Sequence, residues 1–154
     1  MEWIQQKREF YRLISYAFIH GGFKHLFMNM VIILLFSPPL EKSLGKIRFM
    51  ELFFFTTLGS ALTILLPNSE AGVGSSGFEF GLFGIYLSMI ILKKDVFDNQ
   101  SKIVIIFFIS SGWIITFLYK NISIAGHFGG FISGIIMGII FICTNSFRPF
   151  NVQG

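Results

Sequence analysis

Two serines and a glutamate interrupt an otherwise apolar stretch, VGSSGFEFGLFG, at residues 73 to 84. A serine hydroxyl becomes a nucleophile when a positioned base takes its proton, and histidine is the usual base. Ser76, in the Gly74-Ser75-Ser76-Gly77 turn, and His127, inside AGHFGG, form such a candidate pair. His25 and Asn29 are four residues apart, so on a helix they share one face and can offer donors to a developing oxyanion. The free backbone N–H groups at a helix start beginning near Ser76 add to that set. Gly74 and Gly77 let the chain turn sharply and let a substrate backbone come close. No aspartate or glutamate evidently completes a triad, which leaves a dyad.

The same residues have plainer uses. Gly-Ser-Ser-Gly before a helix serves as a turn and N-cap, and His25 with Asn29 can simply hydrogen-bond between helices. Three histidines (His20, His25, His127) are enough for zinc. His20 and His25, however, straddle Gly21-Gly22 at five-residue spacing, unlike an i, i+4 ligand pair, and no HExxH occurs. The reading is therefore no metal and no cofactor. Glu79, three residues after Ser76, has three readings: a buried carboxyl that stays neutral, a hydrogen-bond partner for a neighbouring group such as Asn29, or an orienter of His127 or a water.

These residues are spread over about a hundred positions and need a scaffold. The chain is 53% hydrophobic and only 13% charged, with mean hydropathy +0.71. A soluble domain carries about a quarter charged residues, so the bilayer is the expected solvent. The net charge of +4 comes from cations scattered singly between apolar runs, which excludes a nucleic-acid stripe. Cys143 is the single cysteine, so no internal disulfide forms. The polar opening MEWIQQKREFYR lacks the apolar core of a signal peptide.

Five apolar runs follow: roughly 26–40, closed by Pro38-Pro39, then 47–66, 77–92, 103–119 and 124–143. Short loops make consecutive helices antiparallel neighbours. The expectation is an all-α polytopic membrane helix bundle of about five transmembrane helices, forming one domain over 1–154. Residues 1–25 form an outer-side loop, 26–143 the bundle and 144–154 an inner-side tail. A modest excess of Lys and Arg in the loops after the first and third runs places those loops inside. Gly126, Gly130, Gly134 and Gly138 recur every fourth residue, and Gly77, Gly81 and Gly84 offer a flat patch on the third run. Bare ridges of this kind let backbones approach closely, so the third and fifth helices should pack together and carry Ser76 to His127.

Taken together, these residues resemble the rhomboid family of intramembrane serine proteases. HGGFKHLFMN is similar to its His-rich loop and H-x-x-x-N helix, GSSG with FGLFG to its nucleophile turn, and AGHFGGFISG to its A-H-x-x-G-x-x-x-G helix. EKSLG at 41–45 also resembles the family, and the likeness covers roughly residues 11–143. It implies Ser76 as nucleophile, His127 as general base, and His25, Asn29 and the Ser76 N–H as the oxyanion site. His20 becomes a structural loop histidine, and Phe80 an aromatic packed near the catalytic histidine. Tyr11-Arg12 resembles a Trp-Arg pair of the family's first loop. The implied activity is cleavage of transmembrane protein substrates near the outer membrane face through an acyl-enzyme, in a multi-pass protein of a bacterial inner or plasma membrane. The family core has six spans; this chain offers five, without the first, and Glu79 also departs from the pattern. Two other functions fit parts of the sequence: an inactive relative that binds transmembrane segments, and a small transporter, which predicts an inverted repeat that is not evident.

Overall fold

The computed structural model describes residues 9–67, 69, 72–93, 95–120 and 122–148. Every regular element among them is helical: α1 (Arg12–Ser15), a 3-10 turn (Tyr16–Phe18), α2 (Phe23–Leu44), α3 (Lys46–Ile64), α4 (Ser76–Leu92), α5 (Asn99–Leu118) and α6 (Ile124–Cys143). Helices α2, α3, α5 and α6 are long and apolar enough to cross a membrane, and α4 is a shorter apolar helix of 17 residues. This is the expected five-helix bundle.

Helix α4 is the central post. Gly77 through Tyr86 are all buried, as expected for a helix that is apolar all round and enclosed by its neighbours. Its most extensive partner is α6, and α6 in turn packs on α3. Glycine makes both contacts possible. A Cβ on Gly130 would overlap the carbonyl oxygen of Gly77, one on Gly134 that of Gly81, and one on Gly84 that of Phe131. The expected α4–α6 seam is therefore present, and backbone touches backbone along it. On the other flank, Phe36 from α2 meets Phe83 and Tyr86 edge-on, with centroids 5.6 and 5.3 Å apart. The outer face of α5, with Ile103, Phe107, Ile114, Phe117 and Leu118 exposed, is a lipid-type surface.

The first apolar run does not end at Pro38-Pro39. Proline removes a helical N–H and crowds the preceding turn, yet α2 continues through both to Leu44. Ile32, Phe36, Leu40 and Leu44 are buried on either side of the pair, and the Tyr86 hydroxyl donates to Phe36 O at 2.8 Å. Packing of this stripe outweighs the local preference. Gly45, at φ +80°, then reverses the chain directly into α3. Two helix starts carry side-chain caps: Asp98 accepts from Ser101 N at 2.9 Å and Ser123 from Gly126 N at 3.2 Å. The exposed Asp98 carboxyl sits below its usual range because of those Ser101 hydrogen bonds.

At the end of the bundle where α2 meets α3, the segment after α6 is clasped in place. Ser43 donates to Arg148 O at 2.8 Å, Arg148 N to Ser43 O at 2.9 Å, and the Arg48 guanidinium to Ser146 O at 2.9 Å. Residues 149–154 of the expected tail, and 1–8 of the expected outer loop, lie outside the described residues.

Candidate active site

The candidate residues gather at the opposite end of the bundle. The glycine turn comes first. Gly74 has φ +107° and donates its N–H to Tyr16 O at 3.0 Å. A Cβ there would lie 2.9 Å from His25 Cε1, 3.1 Å from His25 Nε2 and 3.3 Å from Asn29 Nδ2. A side chain at 74 would thus be doubly excluded, by backbone conformation and by the two groups that converge on it. The turn leads into Ser76, the first residue of α4.

Asn29 is 5% exposed, and its Nδ2 is buried with no hydrogen-bond partner among the described residues. Buried polar groups are nearly always paired, so an orphan of this kind calls for an explanation. It lies beside Gly74 with His25 Nε2, and both are potential donors at the entry to α4. The α4 start supplies further unpaired backbone N–H groups.

His20 lies against the glycine turn. Its Nε2 lies 3.3 Å from Ser75 Oγ and accepts from Ser75 N at 3.4 Å, and its ring meets that of His25 edge-on at 5.3 Å. The turn is thereby pinned between His20 and Tyr16. The Tyr16 hydroxyl also donates to Thr57 O at 3.0 Å; burial pushes this phenol up from its ordinary range, which a hydrogen bond with Ser60 opposes. Arg12 lies at the start of α1, exposed and ion-paired with Glu9.

His127 sits in the first turn of α6, 8% exposed. Its ring lies flat on Phe80, with centroids 4.0 Å apart and planes 16° from parallel. Trp113 of α5 backs Phe80 edge-on at 5.0 Å. Phe80 therefore stands where the resemblance implies an aromatic beside the histidine. Nδ1 of His127 is 2.8 Å from Thr116 Oγ1, a partner that the sequence reading missed.

The structure brings the starts of α4 and α6 together, since Gly77 and Gly130 are in backbone contact. No hydrogen bond joins Ser76 to His127, although the expected helix packing was to bring the two within such reach. Catalytic hydrogen bonds are often long in ligand-free enzymes and tighten with substrate. Glu79, 9% exposed, makes no hydrogen bond to Asn29 or to His127. An unpaired buried amide, an imidazole beside it, a second, stacked imidazole and a serine at a helix start are parts suited to acyl transfer.

Comparison with known proteins gives the family. The Rhomboid domain family matches residues 7–144. YdcA of Bacillus subtilis (strain 168), whose name places it among rhomboid proteases, is 33% identical over 140 residues, covering 88% of this chain and 68% of YdcA. RHOMBOID-like protein 5 of Arabidopsis thaliana is 32% identical over 146 residues, 89% of this chain and 46% of that protein. Rhomboid-like protease 3 of Toxoplasma gondii is 28% identical over 140 residues, 84% of this chain and 51% of that protein. The chain thus spans about two thirds of the first and about half of the other two. With a family match over nearly its whole length and a bundle of apolar helices, the chain belongs to the rhomboid family and is an integral, multi-pass membrane protein.

Proposed function

We propose that the chain is an intramembrane serine endopeptidase that cleaves transmembrane protein substrates near the outer membrane face. Ser76 Oγ attacks the scissile carbonyl carbon while His127 Nε2 takes its proton. The carbonyl oxygen, now an anion, is held by Asn29 Nδ2, His25 Nε2 and the Ser76 backbone N–H. Collapse of the tetrahedral intermediate breaks the C–N bond, and His127 returns the proton to the leaving amine. Water, activated by the same histidine, then releases the acyl group from Ser76. The observation that carries this reading is the orphaned Asn29 amide beside Gly74. A buried donor without an acceptor is a cost in the resting protein and an asset when an oxyanion arrives. The bilayer is the second partner, and a bacterial plasma membrane is the proposed location.

A second reading follows from the Ser76 hydroxyl, which has no hydrogen bond to His127: a relative that binds transmembrane segments without cleaving them. The test is labelling of the purified, reconstituted chain by a fluorophosphonate probe. Labelling of wild type that is lost in both Ser76→Ala and His127→Ala supports the protease. Folded wild-type protein that does not label supports the binder, and labelling that survives Ser76→Ala rejects Ser76 as nucleophile.

A further inference from the structure

We infer that Thr116 is a positioning residue that fixes the tautomer of His127. The inference rests on the Ser76–His127 reading but concerns an atom on the other side of the imidazole. Thr116 is 1% exposed, the most enclosed polar residue of α5, a helix that otherwise turns mostly apolar side chains outward. Its Oγ1 lies 2.7 Å from Gly112 O and 2.8 Å from His127 Nδ1.

A hydroxyl has one hydrogen to donate. The Gly112 carbonyl can only accept, so the Thr116 hydrogen goes to Gly112 O. The short contact with Nδ1 then needs its hydrogen from the ring, and His127 is the Nδ1–H tautomer. A neutral imidazole has only one N–H, so Nε2 keeps its lone pair. Nε2 is the ring nitrogen that Thr116 leaves free, and Phe80 fixes the plane of that ring. A general base must present a lone pair to the serine, and only this tautomer does so through Nε2.

The same arrangement serves the next step. When Nε2 takes the Ser76 proton, the imidazolium donates from Nδ1 to a hydroxyl already polarised by the Gly112 carbonyl. Linked hydrogen bonds of this type strengthen one another in a low dielectric. A carboxylate in the place of Thr116 would hold the cation more strongly, but it would have to be buried as a charge beside Phe80 and Trp113. A hydroxyl orients the ring without that charge.

The alternative role for Thr116 is mechanical, as a link between α5 and α6, two helices with few contacts to each other. Thr116→Val keeps the shape and removes the acceptor, and Thr116→Ser restores it. Loss of a correct tautomer costs a serine protease up to about 10⁴ in rate when the orienting group is a carboxylate. A neutral hydroxyl holds less tightly, so Thr116→Val should label with the fluorophosphonate probe about ten- to a hundred-fold more slowly, and Thr116→Ser close to wild type. In parallel, ¹⁵N spectra of histidine-labelled protein, with the His127 signal assigned from its loss in His127→Ala, read the tautomer directly. Wild type should show Nδ1–H, Thr116→Ser the same, and Thr116→Val a mixture. A wild-type ring protonated at Nε2 overturns the inference, as does a folded Thr116→Val protein with wild-type labelling and tautomer. If Thr116→Val fails to fold, the wild-type and Thr116→Ser spectra decide. If wild type does not label yet shows Nδ1–H, the protease reading fails and the assignment of Thr116 stands.

Discussion

A buried donor left unpaired costs about 1–3 kcal/mol, and Asn29 Nδ2 is such a donor. Asn29→Ala removes that cost along with one oxyanion contact. Thermal stability should therefore hold or rise, while labelling by the fluorophosphonate probe slows by about 10²–10³. Parallel losses of stability and labelling would show Asn29 to be a link between helices instead. Glu79 makes the converse case. It is buried and bonded neither to Asn29 nor to His127, so Glu79→Leu should raise the melting temperature and leave labelling within a few-fold of wild type. Abolished labelling in a more stable protein would assign Glu79 to the reaction. Ser76, His127, His25 and Asn29 were legible as candidates because polar residues are rare in apolar spans and costly there. Thr116 was not. A threonine in a membrane helix ordinarily spends its hydroxyl on a carbonyl of the preceding turn, as Thr116 does on Gly112. Its second contact, across α5 and α6, has no signature in residue type.

Between elements, the decisive contact is the α4–α6 seam, since it holds the two helix starts in register. A methyl on Gly134 has no free space, because it would overlap Gly81 O, and backbone yields less readily than a side chain. Gly134→Ala should force the helices apart and destabilise the protein by about 1–3 kcal/mol. It should also slow labelling of Ser76, although Gly134 lies almost two turns from His127. Unchanged melting and labelling would mean that the seam tolerates separation. This seam was readable from the four-residue glycine spacing, because bare backbone is the one surface that such a pattern can make. The end of α2 was misread for the opposite reason. Pro38 and Pro39 signal a stop locally, whereas the signal that overrides them is the burial of Phe36, Leu40 and Leu44 against distant helices. Local rules fail where the stabilising partners are remote in sequence.

At the scale of the whole molecule, the two ends differ. The starts of α2, α4 and α6 carry His25, Ser76 and His127 to one end, while Ser43, Arg48 and Ser146 meet at the other. Among the described residues, Arg12, Lys24 and Lys120 lie toward the first end, and Lys42, Lys46, Arg48, Lys93, Lys102 and Arg148 toward the second. We propose from the excess of cations that the second end faces inward, which would put the candidate site at the outer side, where the proposed hydrolysis could draw water from the external medium. The single cysteine makes this testable without disturbing the site. Cys143 is exposed at the last residue of α6, next to the clasped segment and at the cation-rich end. A membrane-impermeant maleimide should label it in inverted vesicles and leave it untouched in sealed right-side-out vesicles or cells. In a Cys143→Ser background, Tyr119→Cys at the α5–α6 turn, where Tyr119 is exposed, should show the reverse pattern. Both cysteines reacting from the opposite sides would invert the molecule and place Ser76 at the cytoplasmic face. The Ser76→Ala labelling result would be unaffected by that inversion, so chemistry and orientation are decided by separate measurements.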